Sequence, residues 1–361
     1  MRMRVFKYFS PFLIYVGALH GFMVTGFAVW IPLLYAWVFI PLLELFIKPD
    51  PSNLGTAEEE MVRHDKIYDW LLYIIVPLQY FALYLFLNSV TYQQQSWIDI
   101  AGKTWVMGLL CGVFGINVAH ELGHRSNRAE QVMAKLLLLT SLYMHFFIEH
   151  NKGHHKRVAT PEDPSSARKG EMVYRFYFRS IIYSYLSAWK IAARDLSRRG
   201  FKAVNLRNEM LQYQLMQLLL LAVIFILFGA QTLLLFMVAA FIGILLLETV
   251  NYIEHYGLQR KHLGAGKYER ALPAHSWNSN HVIGRVMLFE LSRHSDHHYL
   301  ASRKYQILRH HDDSPQMPTG YPGMMLLSLV PPLWFKVMHK RINQAYDHLP
   351  STKRNPIVSG I

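Results

Sequence analysis

Histidine is concentrated in three short stretches of this chain. The sequence has 19 histidines, and eight of them lie in HELGH (120–124), EHNKGHH (149–155) and HSDHH (294–298). On an α-helix, residues three and four positions apart share a face, so the histidines within each stretch are expected to point the same way. Neutral imidazoles gathered in this way bind transition metals well, whereas protonated ones would repel each other. The pattern predicts a metal site.

The number of candidate ligands indicates two metals. A ninth histidine lies in NYIEHYG, where the apolar stretch 245–257 ends. One ion rarely takes more than about six ligands, so nine imidazoles favour a pair of ions, and all-imidazole ligation suits iron, zinc, copper or nickel. The predicted ligands are His120, His124, His150, His154, His155, His255, His294, His297 and His298.

Polar side chains close to these histidines in sequence are candidates for a supporting role. A metal-bound imidazole usually donates its other ring N–H to a carboxylate, a carbonyl or water, which holds the ring in place. The residues that we predict for this role are Glu121, Glu149, Asp163, Asn251, Glu254 and Asp296. The sequence suggests no separate acid or base for catalysis beyond the metal centre itself.

The segments that must position these residues are long and apolar. The chain of 361 residues is 52% hydrophobic. Residues 11–43 carry no Asp, Glu, Lys or Arg, and as one straight helix they would extend about 50 Å, against a hydrocarbon core of about 30 Å. We therefore expect the stretch to fold back between Gly26 and Pro32, and the uncharged stretch 210–247 to fold back at 228–231.

The sequence predicts an all-α integral membrane protein with six transmembrane helices in three hairpins. Residues 1–340 would form one domain, in which segments 120–210 and 251–340 complete the metal site, and 341–361 would be a tail or linker. The apolar run 136–148 is short for a span and is expected to be a re-entrant or interface-lying helix. The predicted spans are approximately 10–27, 30–47, 69–87, 103–119, 211–228 and 232–250.

Charge gives an orientation for this bundle. The net charge is +13, yet the proposed outer connections, 88–102 and 229–232, contain no Lys or Arg, whereas 168–207 is densely basic. By the positive-inside rule, both termini and all histidine stretches are expected to face the cytoplasm. The basic run 190–207 is expected to be a solvated or headgroup-facing helix, or to receive an acidic partner, and no nucleic-acid partner is expected.

Cysteine usage excludes several classes of site. Cys111 is the only cysteine, so this chain cannot by itself build a disulfide framework, a four-cysteine zinc site or an iron–sulfur centre. If the reaction consumes electrons, another protein must deliver them.

The motifs HELGH, EHNKGHH, NYIEHYG and HSDHH, in this order behind paired spans, resemble the membrane-bound di-iron alkane 1-monooxygenases. Wider relatives by this resemblance are the xylene monooxygenases and the membrane fatty-acid desaturases and hydroxylases. HSWNSNH (275–281) and PTGYPG (318–323) extend the similarity, which runs from the first hairpin to about residue 335. Arg125 and Ser292 depart from the common pattern without touching a predicted ligand.

The resemblance implies terminal hydroxylation of medium-chain n-alkanes to 1-alkanols in a bacterial inner membrane. The nine histidines would hold two irons, with O2 as co-substrate. A rubredoxin, separate or fused and supplied by rubredoxin reductase and NADH, would deliver two electrons. Because an alkane has no polar group, its selection must come from the shape of an apolar channel. For that channel we predict Trp37, Leu246 and Leu247.

Other functions remain as alternatives at this point. An acyl-lipid desaturase or hydroxylase could use the same scaffold, although such proteins usually repeat H-x-x-H-H in both later stretches, and the second stretch here is H-x3-H-H. HELGH also fits H-E-x-x-H, the motif of zinc proteases with Glu121 as base, but this leaves seven histidines unexplained. A metal transporter would place ionisable ligands along the spans rather than at one end.

Overall fold

The computed structural model describes residues 2–348, which are mostly helical with one two-stranded antiparallel hairpin. Short 3-10 segments cover Arg2–Phe9, Gly26–Trp30, Pro273–His275 and Tyr305–Ile307, and π-helical segments cover Tyr35–Phe39, Cys111–Ile116 and His150–His154. The hairpin pairs β1 (His262–Gly264) with β2 (Lys267–Tyr268). The α-helices are α1 (Phe12–Met23), α2 (Ile31–Leu34), α3 (Ile40–Phe46), α4 (Thr56–His64), α5 (Ile67–Tyr73), α6 (Ile75–Tyr92), α7 (Trp97–Leu110), α8 (Asn117–Gly123), α9 (Arg128–Thr140), α10 (Phe146–Glu149), α11 (His155–Arg157), α12 (Val173–Ser197), α13 (Glu209–His255), α14 (Val282–Met287), α15 (His294–Tyr299), α16 (Tyr321–Ser328) and α17 (Pro331–His348).

Four helical stretches of the described chain are long and apolar enough to cross a membrane: Gly26–Phe46, Ile67–Tyr92, Trp97–Gly123 and Glu209–His255. The last has 47 residues and would be about 70 Å long if straight, more than twice the hydrocarbon core. It bends at Gly229, whose φ of 83° a glycine adopts without strain. The break in this helix therefore falls within the predicted 228–231.

Three turns of the chain meet at one end of the bundle. The backbone N–H of Gly26 donates to the Asp99 carboxylate at 2.6 Å, which joins the turn after α1 to the start of α7. The hydroxyls of Thr91 and Thr232 lie 2.7 Å apart, which joins the end of α6 to the bend in α13. The connections that lack basic residues in the sequence are thus gathered together, away from the histidines.

The N-terminal segment lies at the other end, against the segment that precedes HSDHH. Lys7 and Tyr8 both donate to the Glu290 carboxylate, at 2.8 and 2.6 Å, and Arg285 forms an ion pair with it at 2.9 Å. Glu290 is 4% exposed, so this ion pair is screened little by water. It fixes the N-terminus on the histidine side of the molecule.

The apolar run 136–148 is not one helix, contrary to the sequence-based expectation. α9 ends at Thr140 and α10 begins at Phe146. Between them the Ser141 hydroxyl donates to the Cys111 carbonyl, and the Tyr143 hydroxyl donates to Glu248. These side chains bond to neighbouring helices, and the intervening turn delivers the following stretch, EHNKGHH, to the site.

The C-terminal helix α17 packs on the end of α13. Trp334 is fully buried, and its ring centroid lies 5.2 Å from those of both Tyr252 and Tyr256. The helix continues to His348, so the predicted domain boundary at 340 falls inside it. The rest of the predicted tail, 349–361, lies outside the described residues.

We expect Glu290→Gln to lower the melting temperature of the detergent-solubilised protein at neutral pH. Removal of one charge of a buried ion pair costs about 3–5 kcal/mol, because the partner remains buried without compensation. Burial alone would raise the pKa of Glu290, but Arg285, Lys7 and Arg293 lower the pKa overall. The stabilisation that the Glu290 ion pair provides is therefore present above the ordinary carboxyl pKa of about 4.3. It is lost as the pH falls through the lowered pKa of Glu290.

The measurement is the difference in melting temperature between the parent and the Glu290→Gln variant across pH. This difference should shrink in acid. Glu60→Gln is the matched control. The Glu60 side chain is 61% exposed, so this substitution should change the melting temperature little. A difference that stays constant at every pH would contradict the assignment.

Candidate metal centre

Five of the nine predicted histidines converge in one group whose ring nitrogens all lie within 4.8 Å of one another. The Nε2 atoms form a continuous series of short contacts, from His120 to His297 (2.9 Å), His297 to His155 (3.1 Å), His155 to His150 (3.0 Å) and His150 to His124 (3.1 Å). We refer to this set as the five-histidine group.

The other four converge beside them in the four-histidine group, which consists of His154, His255, His294 and His298. The Nε2 atoms of His154 and His298 lie 3.2 Å apart, as do those of His255 and His294. All four side chains are buried. The structure thus brings together every histidine that the sequence predicts as a ligand, and it divides them five to four.

Hydrogen bonds between imidazoles cannot account for these contacts. A ring nitrogen of a neutral imidazole carries either one proton or one in-plane lone pair, so a single Nε2 can make only one well-aligned hydrogen bond. His297 Nε2 has short contacts with two other Nε2 atoms, and so does His150 Nε2. By contrast, two nitrogens bound at right angles, each about 2.1 Å from one ion, lie about 3.0 Å apart. Each group therefore fits a single metal ion.

The backbone of the second stretch determines how its histidines divide. His150–His154 is π-helical, and in this conformation residues five apart come into register. His150 therefore joins His155 in the five-histidine group, whereas His154 faces the other group. The expectation that His150 and His154 point the same way is wrong.

HSDHH is likewise divided between the two groups. His294 and His298, four residues apart on α15, belong to the four-histidine group, whereas His297 belongs to the five-histidine group. The two histidines of HELGH likewise share one group, as expected from the α-helical spacing. The third stretch therefore contributes to both candidate metal positions.

Burial favours the neutral form of the imidazoles, which is the form that binds a metal. Burial, together with the neighbouring His154 and Arg125, lowers the pKa of His124 to about 3. His154 differs, because Asp163 outweighs the effect of burial and raises its pKa overall. Burial and the neighbouring histidines also hold the pKa well below its usual range in His150, His155, His294, His297 and His298.

Asp163 contacts an imidazole as the sequence predicts. Its Oδ2 lies 2.8 Å from His154 Nδ1 and also accepts a hydrogen bond from the Ser166 hydroxyl at 2.6 Å. With Nδ1 held by the carboxylate, His154 Nε2 faces the other histidines of its group. Ser166 was not among the predicted residues, although it follows Asp163 by three positions in a Ser-rich turn.

Three other predicted carboxylates are turned away from the imidazoles. Arginines close in sequence form charge-assisted pairs with them, which are stronger than a bond to a neutral ring. Among the described residues, none of the three hydrogen-bonds to one of the nine histidines. The pairs, all at 2.6 Å, are Glu121 with Arg125, Glu149 with Arg157 and Asp296 with Arg303.

Glu254 lies on the side of the imidazoles that would bind a metal. The sequence predicts instead that it would accept the other ring N–H of a ligand histidine. Its Oε2 is 3.2 Å from His294 Nε2, the nitrogen that faces the other histidines. Glu254 is buried, and it lines the apolar cavity described below. Asn251, one turn earlier, instead donates to Glu248 at 3.3 Å. Glu254 is therefore placed where a carboxylate would reach a metal directly.

The segment HSWNSNH braces the last helix of the bundle. The Ser276 hydroxyl lies 3.4 Å from His255 Nδ1. The Trp277 backbone N–H donates to the Glu254 carbonyl, and its indole N–H donates to the Tyr256 carbonyl. The motif was visible in the sequence, but its contact with His255 depends on tertiary packing.

A narrow apolar cavity leads from the bundle to both histidine groups. The volume of this cavity is about 80 Å³. All three predicted channel residues, Trp37, Leu246 and Leu247, line it. At its inner end the cavity reaches His120 and His150 of one group and His294 of the other.

A separate, polar cleft of about 620 Å³ reaches His124 and His155. Its lining contains more basic than acidic side chains: Arg125, Lys135, Lys152, Arg199 and Arg207 against Asp195 and Glu209. The five-histidine group is thus approached by an apolar cavity and by a basic, polar cleft.

Comparison with known proteins agrees with this geometry. The family model of the fatty acid desaturases matches residues 96–328. The alkane 1-monooxygenase of Acinetobacter baylyi is 41% identical over 86% of this chain and 76% of its own length, and alkane 1-monooxygenase 1 of Pseudomonas aeruginosa is 41% identical over 85% and 81%. The hydroxylase component of the xylene/toluene monooxygenase of Pseudomonas putida is 31% identical over 71% and 68%.

The matched region includes all nine converging histidines, and the similarity to the alkane 1-monooxygenases extends over most of the chain. The chain therefore belongs to the fatty acid desaturase family, within which it groups with the alkane 1-monooxygenases, and it is an oxidoreductase.

Proposed function

We propose that this protein hydroxylates the terminal methyl group of medium-chain n-alkanes to give 1-alkanols, with O2 as co-substrate. The observation that carries the proposal is the apolar cavity that ends at both histidine groups. The names of the relatives support alkanes as the substrate class. Two irons, one in each group, would supply the oxidising power that an unactivated C–H bond requires.

The protein's own part in this reaction is to position and to isolate the substrate. An alkane offers no hydrogen-bonding group, so only the shape of the cavity can direct one end of the chain to the histidines. The cavity is narrow and its wall contains Leu246, Leu247 and Trp37, which suits an unbranched chain. Its polar lining side chains, which include Asn117, Asn251 and Glu254, are few.

The nine histidines are proposed as the iron ligands, with Asp163 as the carboxylate that orients His154. The fit rests on the Nε2 spacing of 2.9–3.2 Å within the groups and on the neutral state that burial favours. Glu254 is proposed as an additional oxygen ligand of the four-histidine group, in place of its predicted outer role.

Two electrons are proposed to come from a rubredoxin-type donor, itself reduced by a reductase and NADH. Cys111 is the only cysteine of the chain and is buried, so an external centre is needed. The basic cleft favours an acidic partner. Its floor contains His124 and His155, which would place the donor within a short distance of the five-histidine group.

The bundle is proposed to make six crossings in three hairpins. The four long apolar stretches, the two arms of the bent α13 counted separately, and α1 together supply them. The turns at Gly26, 93–96 and Gly229 would then face outwards. Both termini and the histidines would face the cytoplasm from a bacterial inner membrane, in line with the charge distribution.

The interpretation of HELGH as the motif of a zinc protease is not favoured. Glu121, the would-be base, accepts hydrogen bonds from Arg125 and from the backbone N–H of Tyr305, so its carboxylate is already engaged. An acyl-lipid desaturase on the same scaffold is less well supported than an alkane hydroxylase, because proteins named alkane 1-monooxygenase are 41% identical to this chain over most of its length.

The direct test is metal content followed by turnover. We expect the detergent-purified protein to hold two irons per chain. With rubredoxin, its reductase, NADH and O2 it should convert octane to 1-octanol. His297→Ala and His298→Ala should each reduce the iron content, because they remove a ligand from different groups. One bound zinc per chain with no oxygen consumption would contradict the proposal.

Asp163→Asn should weaken one metal position selectively. Loss of the carboxylate that holds a ligand histidine typically lowers metal affinity by about 10–100-fold. In competition with a chelator, the variant should therefore lose one of its two ions early and keep the second like the parent. Glu162→Gln is the matched control, because the neighbouring Glu162 is exposed. Equal loss of both ions would show that Asp163 does not act on one group alone.

Trp37→Ser should allow longer alkanes to be hydroxylated, because removal of the indole enlarges the cavity. We expect the ratio of hexadecane to octane turnover to rise by about tenfold or more, since each methylene that fits or clashes changes discrimination by a large factor. Trp105→Ser changes a tryptophan that is 50% exposed and should leave the ratio unchanged. An unchanged ratio in the Trp37 variant would show that this residue does not limit the length of the substrate.

A further inference from the structure

A surface groove of about 690 Å³ runs along the outer side of α12 (Val173–Ser197), apart from the substrate cavity. The opposite face of the helix packs inward through small side chains, Ser180, Ser184 and Ala188. Its outward face carries large apolar side chains instead: Phe178 is 74%, Ile182 52% and Leu186 44% exposed. These residues follow one another at intervals of four and form an apolar stripe along the groove.

Unpaired cations lie at both ends of this stripe. Four basic residues line the groove, and among the described residues none of their side chains forms an ion pair with a carboxylate: Arg168, Arg175, Lys190 and Arg194. Arg157 and Arg179, which also line it, are neutralised by Glu149 and Glu171. The acids in the lining are Glu162 and Asp163, and Asp163 is engaged with His154. The groove therefore has a net positive charge.

Contacts with α13 give the depth of the groove. The Tyr177 and Thr249 hydroxyls lie 2.5 Å apart, and the Tyr252 hydroxyl donates to the Glu171 carbonyl at 2.6 Å. Thr249 follows the end of the uncharged stretch at Leu247 by two residues, or about 3 Å along the helix. The apolar stripe of α12 therefore lies where the apolar part of the bundle gives way to polar sequence.

We propose that this groove binds an anionic phospholipid, with the phosphate held by the groove cations and an acyl chain along Phe178, Ile182 and Leu186. A helix with an apolar stripe and basic flanks at this depth matches the boundary between hydrocarbon and headgroups. Arginine and lysine reach the phosphate while their stems cover apolar surface. The inference depends on the membrane placement of α13 and not on the alkane reaction.

The test measures lipid binding to the intact detergent-solubilised protein. The protein is titrated with phosphatidylglycerol or phosphatidylcholine, and native mass spectrometry detects the bound lipid. The parent should retain phosphatidylglycerol preferentially. Replacement of Arg168, Arg175, Lys190 and Arg194 by glutamine should weaken this binding by at least about tenfold, since each basic residue near an anionic surface contributes measurably to attraction. Phosphatidylcholine binding should change little.

A matched control neutralises four exposed cations outside the groove: Arg128, Lys202, Lys267 and Lys340. This variant should bind phosphatidylglycerol like the parent. Phe178→Ser with Ile182→Ser should weaken both lipids alike, because it removes the acyl-chain contact and keeps the charges. Metal content, measured in parallel, reports whether each variant is folded.

Two results would overturn the proposal. The first is equal retention of the two lipids by the parent, or an unchanged preference in the groove variant. The second is a groove variant that binds phosphatidylglycerol normally but needs much more rubredoxin for half-maximal turnover, which would make the groove a docking surface for an acidic protein. Failure of octane hydroxylation alone would not bear on the lipid result.

Discussion

Nine imidazole nitrogens must come within a few ångströms of each other without carrying charge, and the rest of this structure depends on that requirement. Protonated rings at such distances would repel strongly in a site where water screens little. Burial removes the problem because it favours the neutral form, which is also the form that binds a metal. The site must therefore be enclosed by elements that are themselves stable, and this is what the apolar bundle provides.

The bundle contributes to this by placing three of its described turns, at Gly26, 93–96 and Gly229, at the end away from the histidines. The bend at Gly229 and the contact of Gly26 with Asp99 keep the hairpins in register, so that HELGH and His255 end at the same depth. A substrate that dissolves in the hydrocarbon then has a direct route along the helices to the metal ligands. The opposite, polar approach to the five-histidine group is the basic cleft that we propose for an electron donor.

Carboxylates in this site divide between holding ligands and holding the surrounding fold. Asp163 binds His154, and Glu254 faces the four-histidine group directly. Glu121 and Asp296, although adjacent in sequence to ligands, are bound by Arg125 and Arg303. An arginine competes with a neutral ring for a carboxylate because it brings a full opposite charge and several N–H donors in a fixed fork. The orientation of most ligands therefore comes from helix packing rather than from an acidic partner.

The histidine spacing, the uncharged stretches and the single cysteine already determined the class of this protein. Clusters at helical spacing indicate a metal site, long uncharged helices indicate a bilayer, and a chain with one cysteine cannot by itself build an iron–sulfur centre. These conclusions depend on side-chain chemistry and segment length, which are properties of the sequence alone.

Tertiary structure decided which histidine faces which group. His150 and His154 are four residues apart and would share a face of an α-helix, yet the π-helical turn separates them, and packing with neighbouring segments selects that turn. The same holds for Glu254, whose carboxylate lies on the inner face only because His294 arrives there from a segment 40 residues later. Such choices depend on which distant groups are brought within hydrogen-bonding distance, and local spacing carries no information about that.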